Sequence, residues 1–291
     1  MPILVILAHA GAVPTAFYRC IFALPVLAVI AFAERRRYGP PTLKSRGYAV
    51  LAGLFFAVDL VLFNHTIVDI GAGMSTVIGS LYVPMVAALA WAVLGERPGR
   101  RYFAILPVVL AGVVLASGLI GGATGPHPAA GVAYALGASI AYSCFLLILR
   151  GTAGESQRVA SQVFDATAGA TIGTLLFGLA FGGLQLALPW HVLGWLLLLA
   201  LTVQTAGWLL ITSSLPGLPA AVSSLLLLLQ PTASMILAAI ILGQQPSLIQ
   251  ILGALLVCGG VLLAGRNEVS KRARAAAPVA GQPQGIQPTL E

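Results

Sequence analysis

Three residues that carry charge at neutral pH lie inside long apolar runs of this sequence: Arg19, Asp59 and Asp165. Asp59 sits near the middle of the run 48–67. Burying it as a carboxylate costs several kcal/mol, which a partner amine, a bound proton or a wet cavity offsets. It is therefore read as a site for a substrate amine or a proton, against a neutral packing role. Asp165 lies one turn into the run 161–181, where it faces headgroups or complements a helix N-terminus. Gln162, three residues earlier, shares its helix face. Arg19 lies about a turn and a half inside its run. It attracts a carboxylate, snorkels outward or ties helices together.

Neutral polar and aromatic groups extend the set. Gln204 and Trp208 lie one turn apart in the run 191–212 and roughly mirror Asp59 in the other half of the chain. An amide and an indole on one face suit a polar or aromatic small molecule, and Trp208 lies too deep for an interfacial belt. Tyr82 and Gln230 stand next to Pro84 and Pro231, each of which frees a backbone carbonyl one turn earlier and so makes a hinge. Tyr142 and Ser143 are further lining candidates. His65, beside Asn64 at the outer end of the Asp59 run, reads as a bystander before a ligand. The expected binding set is thus Asp59, Tyr82, Tyr142, Gln204, Trp208, Gln230 and His65. The expected coupling or gating set is Arg19, Asp165, Pro84 and Pro231.

The sequence has no G-x-x-x-x-G-K-[ST] loop, no H-E-x-x-H pair, no Cys/His cluster and no G-x-S-x-G elbow. No cofactor, metal or enzymatic activity is expected. Asp59 and Asp165 are the only acid pair for intramembrane catalysis, and helical rise separates them by roughly 8–10 Å along the membrane normal.

The elements that position these residues follow from composition. Of 291 residues 59% are hydrophobic and 8% charged, with a mean hydropathy of +0.98. A soluble domain carries about 25% charged residues, so this surface must face lipid. The apolar stretches are continuous rather than alternating, which selects helices over a β-barrel. Spans are placed at 13–33, 48–67, 73–94, 102–120, 130–149, 161–181, 191–212, 219–242 and 248–265. Residues 267–291, with Pro278, Pro283 and Pro288, read as a disordered tail. Cys20, Cys144 and Cys258 fall in apolar runs and form no disulfide framework.

Basic residues orient the spans. Fourteen of the fifteen Lys and Arg fall in the segments 34–46, 95–101 and 150–160 and past Gly265, with Arg19 the exception. If the spans alternate, these segments share one side. That side is expected to be cytoplasmic, with the C-terminus on it. The net charge of +7 is spread over these segments rather than gathered in one patch, so no nucleic-acid partner is expected. The expected partners are the lipid bilayer and a small-molecule substrate. Gly169-x-x-x-Gly173 and Gly178-x-x-x-Gly182 read as close packing within one subunit, hence a monomer before a dimer.

The chain also repeats itself. Leu94-Gly95-Glu96-Arg97-Pro98 corresponds to Leu242-Gly243-Gln244-Gln245-Pro246, and Ala111-Gly112-Val113-Val114-Leu115 to Gly259-Gly260-Val261-Leu262-Leu263, at an offset of 148 residues. Ser75-Thr76 matches Ser223-Ser224 at the same offset, and Phe17 matches Phe164 at 147. The two copies of the turn fall on opposite sides of the membrane, as inverted repeats require. The division is 1–120, 121–266 and the tail. The partner of the helix at 130–149 would lie at about −18 to 1, so the first half is expected to keep only a stub of its first helix, at residues 3–10.

Ala16-Phe17-Tyr18-Arg19, the Pro84 to Leu94-Gly95-Glu96-Arg97 block, the glycine-bearing 111–115 segment and their second copies together resemble the drug/metabolite transporter superfamily, specifically its EamA-type members. The resemblance covers essentially residues 1–266. It implies an all-α polytopic membrane protein, a 5+5 inverted-repeat bundle of ten helices, in a bacterial-type inner membrane with both termini cytoplasmic. It implies secondary transport of small metabolites, often export of amino acids, without an ATPase domain. A lipid-linked carrier or flippase on the same fold is the alternative. The resemblance also favours a structural role for Arg19. The chain departs from the pattern in its short first helix and in Gly243-Gln244, where the second copy often has Gly-Glu.

Overall fold

The computed structural model describes residues 1–95, 100–116, 126–149, 158–214 and 233–276, and no strand occurs among them. The helices are α1 (Pro2–Ala8), α2 (Ala12–Tyr38), α3 (Leu43–Ile70), α4 (Ala72–Gly79), α5 (Tyr82–Leu94), α6 (Arg100–Ala116), α7 (Pro128–Leu149) and α8 (Val159–Phe181). Then come α9 (Trp190–Leu199), continued by a π-helical segment Ala200–Gly207 into α10 (Trp208–Ser214), α11 (Ala233–Leu242) and α12 (Leu248–Ala276). Six helical runs among the described residues are long and apolar enough to cross a bilayer. The protein is a multi-pass membrane protein.

The hydrophobic periodicity is weak, because most helices are apolar all round and their outer faces meet lipid. Val29, Leu179, Phe181 and Ile240 are each about seven-tenths exposed. What distinguishes the inner faces is small size. A side chain at Gly53 would strike the carbonyl of Ala166, and one at Gly169 would strike that of Val50. Gly173 likewise faces the Cβ of Ala57. So α3 and α8 pack backbone to backbone, and the 169–173 glycines serve packing within the chain. A second such pair joins α6 to α12. Gly112 lies against Leu256, Val257 and Gly253, while Gly260 lies against Val109 and Ile105. Shifted by 148 residues, Gly112 against Val257 and Gly253 becomes Gly260 against Val109 and Ile105, as a two-fold relation between the halves requires.

Several elements differ from the sequence expectation. The segment 34–46 is mostly helix rather than loop: α2 runs on to Tyr38 and α3 starts at Leu43. Cationic side chains stabilise the C-terminal turn of α2, and the Thr42 hydroxyl accepts a hydrogen bond from the Ser45 N–H (3.2 Å) to cap α3. The expected span 73–94 breaks at Ser80–Leu81 into α4 and α5. Pro84 lies just past that break and cannot donate to the carbonyl of Ser80. The expected tail is helical as far as Ala276, because α12 continues past the apolar stretch. Residues 277–291 lie outside the described residues, as do 96–99, 117–125, 150–157 and 215–232. The stub expected at 3–10 is α1, seven residues long.

Replacing Gly169 by Val is expected to destabilise the protein by about 1–3 kcal/mol or more through overpacking. Gly194→Ala, where a Cβ meets nothing within 4 Å, should be neutral or stabilising by up to ~1 kcal/mol. Thermal unfolding in detergent compares the two, and equal midpoints would contradict the α3–α8 contact.

Candidate functional site

The site is built around α8, which presents two faces. Ser161 and Asp165 point toward α2 and α3, while Gln162, Val163, Ala166 and Thr167 line a cleft. One helix therefore joins an ion-pair cluster to a cavity.

The ion-pair face comes first. Asp165 is only 4% exposed, and its two oxygens meet Arg35 of α2 at 3.3 Å and Arg46 of α3 at 3.2 Å. Arg35 also donates to the Ser161 hydroxyl and stacks over Phe164. One residue before Arg35, Glu34 accepts from the N–H groups of Ala160 and Ser161, at 3.0 and 2.7 Å. Those amides are unpaired in the first turn of α8, so a carboxylate from another helix caps it. Arg158 donates to the Tyr38 carbonyl at the C-terminus of α2 (2.7 Å). The basic ends of α2, α3 and α8 thus meet at one end of the bundle, as the alternation of spans requires.

The cleft face is aromatic. Phe56 stacks on Phe145 (4.9 Å), and Trp208 stands edge-on to both, at 5.4 and 5.5 Å. Tyr142 adjoins this cluster and carries it to Tyr82, whose ring lies 4.9 Å away. At the far side is Arg19, 2% exposed. Its Nε donates to Gln204 Oε1 (2.9 Å), its Nη1 to the Met1 sulfur (3.0 Å), and its guanidinium lies 5.8 Å from the Phe56 ring centre. Gln204 Nε2 in turn donates to Thr167 Oγ1 (3.1 Å). The π-helical segment holds Gln204 in place. The wider turn carries Gln204 to Arg19 and Thr167 while Trp208, at its end, still faces the cleft; such insertions commonly mark functional positions.

The structure brings together Arg19, Gln204, Trp208, Tyr142 and Tyr82. Asp59 joins them, half-buried one turn along α3 from Phe56 and electrostatically coupled to Arg19 and Tyr142. His65 does not belong to the group; it lies nearer the far end of α3, against the Tyr134 ring at 5.2 Å. Asp165 faces two arginines rather than headgroups, and Gln162 faces the cleft rather than sharing its environment. Arg19 points inward instead of snorkelling. Pro84 lies in α5 beyond the break, while Gln230 and Pro231 lie outside the described residues. Sequence reasoning missed Phe56, Phe145, Thr167 and Glu34. The three cleft residues resemble any packed residue in an apolar run, and Glu34 was one acid among loop arginines. Only the arrival of a bare α8 N-terminus reveals its use.

At the opposite end, Gly71 turns the chain from α3 into α4 at φ +87°. Gln244 packs against it and accepts from the Gly73 N–H (3.4 Å).

A comparison with protein families supports the assignment of the whole bundle. The family described as the EamA-like transporter family matches residues 3–118 and 129–266. The chain belongs to that family. No curated protein matches it.

Gln204→Ala leaves the Arg19 Nε–H and the Thr167 hydroxyl without their partner in a dry interior. It should lower stability by about 1–3 kcal/mol. Thr167→Val should cost less, because the Gln204–Arg19 bond survives. Unfolding midpoints of both variants give the comparison, and a silent Gln204→Ala would mean that the chain of bonds carries no energy.

Proposed function

We propose that this EamA-like transporter family member is a secondary carrier that moves amino acids or related zwitterions outward by alternating access, with the cleft lined by Phe56, Gln204 and Trp208, which adjoins Arg19 and Asp59, as the binding site. One observation carries the reading. Arg19 is buried amid apolar helices, and its hydrogen bonds go to neutral groups. Among the described residues it makes no ion pair. A buried cation with no direct ion pair is costly and marks a functional position in a membrane. A substrate carboxylate completes it, Asp59 takes the amine, and the rings of Phe56, Tyr142 and Trp208 enclose the remainder.

Where the cleft ends supports the outward reading. Leu149, the last residue of α7, and Gln162, in the first turn of α8, both line it, and both lie at the basic end. With basic segments on the cytoplasmic side of an inner membrane, the cleft reaches toward the cytoplasm and so toward substrate awaiting export. The Asp165 cluster ties α2, α3 and α8 beside that entrance and serves as the fixed frame. The break at Ser80–Leu81 beside Pro84 supplies a hinge against which the halves rock.

Reconstituted protein is expected to show saturable flux of labelled amino acids. Arg19→Gln and Asp59→Asn should each lower kcat/KM roughly tenfold or more, as loss of a charge-assisted hydrogen bond predicts. Trp208→Ala should act mainly on KM. Non-saturating flux would overturn the carrier reading. Silence for a panel of amino acids, sugars and nucleosides, with the protein folded, would overturn the substrate class.

A further inference from the structure

We propose that the α2–α3 hairpin binds the headgroup phosphate of an anionic glycerophospholipid in the leaflet at the basic end. The hairpin concentrates Arg35, Arg36, Arg37, Lys44 and Arg46 on either side of the turn Gly39-Pro40-Pro41-Thr42. Among the described residues, the two acids nearby are already committed: Glu34 to the amides of α8, and Asp165 to Arg35 and Arg46. Arg36, Arg37 and Lys44 remain exposed, and among the described residues none of the three pairs with a carboxylate. A net positive charge is left over at one spot of the surface.

The arginines are also held in place. Arg36 stacks on Phe32 (4.5 Å to the ring centre) and Arg37 on Tyr38 (5.4 Å). Stacking fixes the planar guanidinium and leaves its edge N–H groups free, which suits bidentate contact with a phosphate. The occupant is a lipid rather than a soluble anion because apolar surface adjoins the cations. Phe32 is 58% exposed one turn inward from Arg36, and Leu43 is 85% exposed next to Lys44. A phosphate at the arginines places its glycerol and acyl chains over those side chains. Clusters of this size beside a membrane helix are drawn to an anionic lipid surface.

The test is lipid retention, independent of transport. Purified protein equilibrated with equal amounts of phosphatidylglycerol and phosphatidylcholine is examined by native mass spectrometry. The wild type is expected to retain phosphatidylglycerol preferentially, and R36Q/R37Q/K44Q to lose that preference roughly tenfold or more. R37Q and K44Q singly should give graded losses if the triple variant folds poorly. The wild-type preference should also shrink as salt rises. Retention of the two lipids in equal amounts, an undiminished preference in folded variants, or salt-independence would each overturn the proposal. None of these readouts depends on the substrate assignment.

Discussion

Charge in hydrocarbon must find a partner, and in this protein that requirement fixes α8. Asp165 cannot remain bare one turn into an apolar helix. Arg35 and Arg46 reach it from two different helices, and Glu34 takes the amides that begin α8. These contacts determine how far α8 enters the bundle and which way it faces. The packing of Gly53 and Gly169 against opposing carbonyls tolerates only a narrow range of such positions. Once α8 is set, Gln162, Ala166 and Thr167 fall on the cleft side without further adjustment.

The two halves share a plan and diverge at the cleft. The α6–α12 contacts repeat under the 148-residue shift, so the scaffold kept its symmetry. The cleft region did not. Residues 56–59 of α3 are regular α-helix, whereas their counterparts 204–207 are π-helical. In a regular helix Phe56 packs its ring into the aromatic cluster. In the wider turn Gln204 gives both ends of its amide to polar partners. A substrate held between them would meet an aromatic wall from one half and a hydrogen-bonding wall from the other.

Much of this was legible in the chain itself, for physical reasons. Composition and the absence of charge dictated lipid-facing helices, and the distribution of arginines dictated which ends lie together. The depth of Asp59 and Arg19 follows from helical rise, so their proximity was within reach. The rest was not, because it depends on contacts between residues far apart in sequence. Asp165 and its arginine partners are separated by more than a hundred residues, and those arginines read as loop residues until α2 and α3 proved longer. A π-helical turn has no distinct composition. Gln204 and Trp208, four residues apart, both reach the cleft although the turn that carries them is π-helical.

The length of α12 has a consequence of its own. Its 29 residues rise about 43 Å, against about 30 Å of hydrocarbon. Roughly two and a half turns must therefore stand clear of the oily layer, and they carry Lys271, Arg272 and Arg274. Helical hydrogen bonding makes that projection a stalk rather than a tether. Since α12 is locked to α6 by reciprocal glycines, any tilt of this pair within the bilayer is magnified at the stalk's tip. A spectroscopic label there would move as the needle of a gauge whose bearing is buried in the membrane.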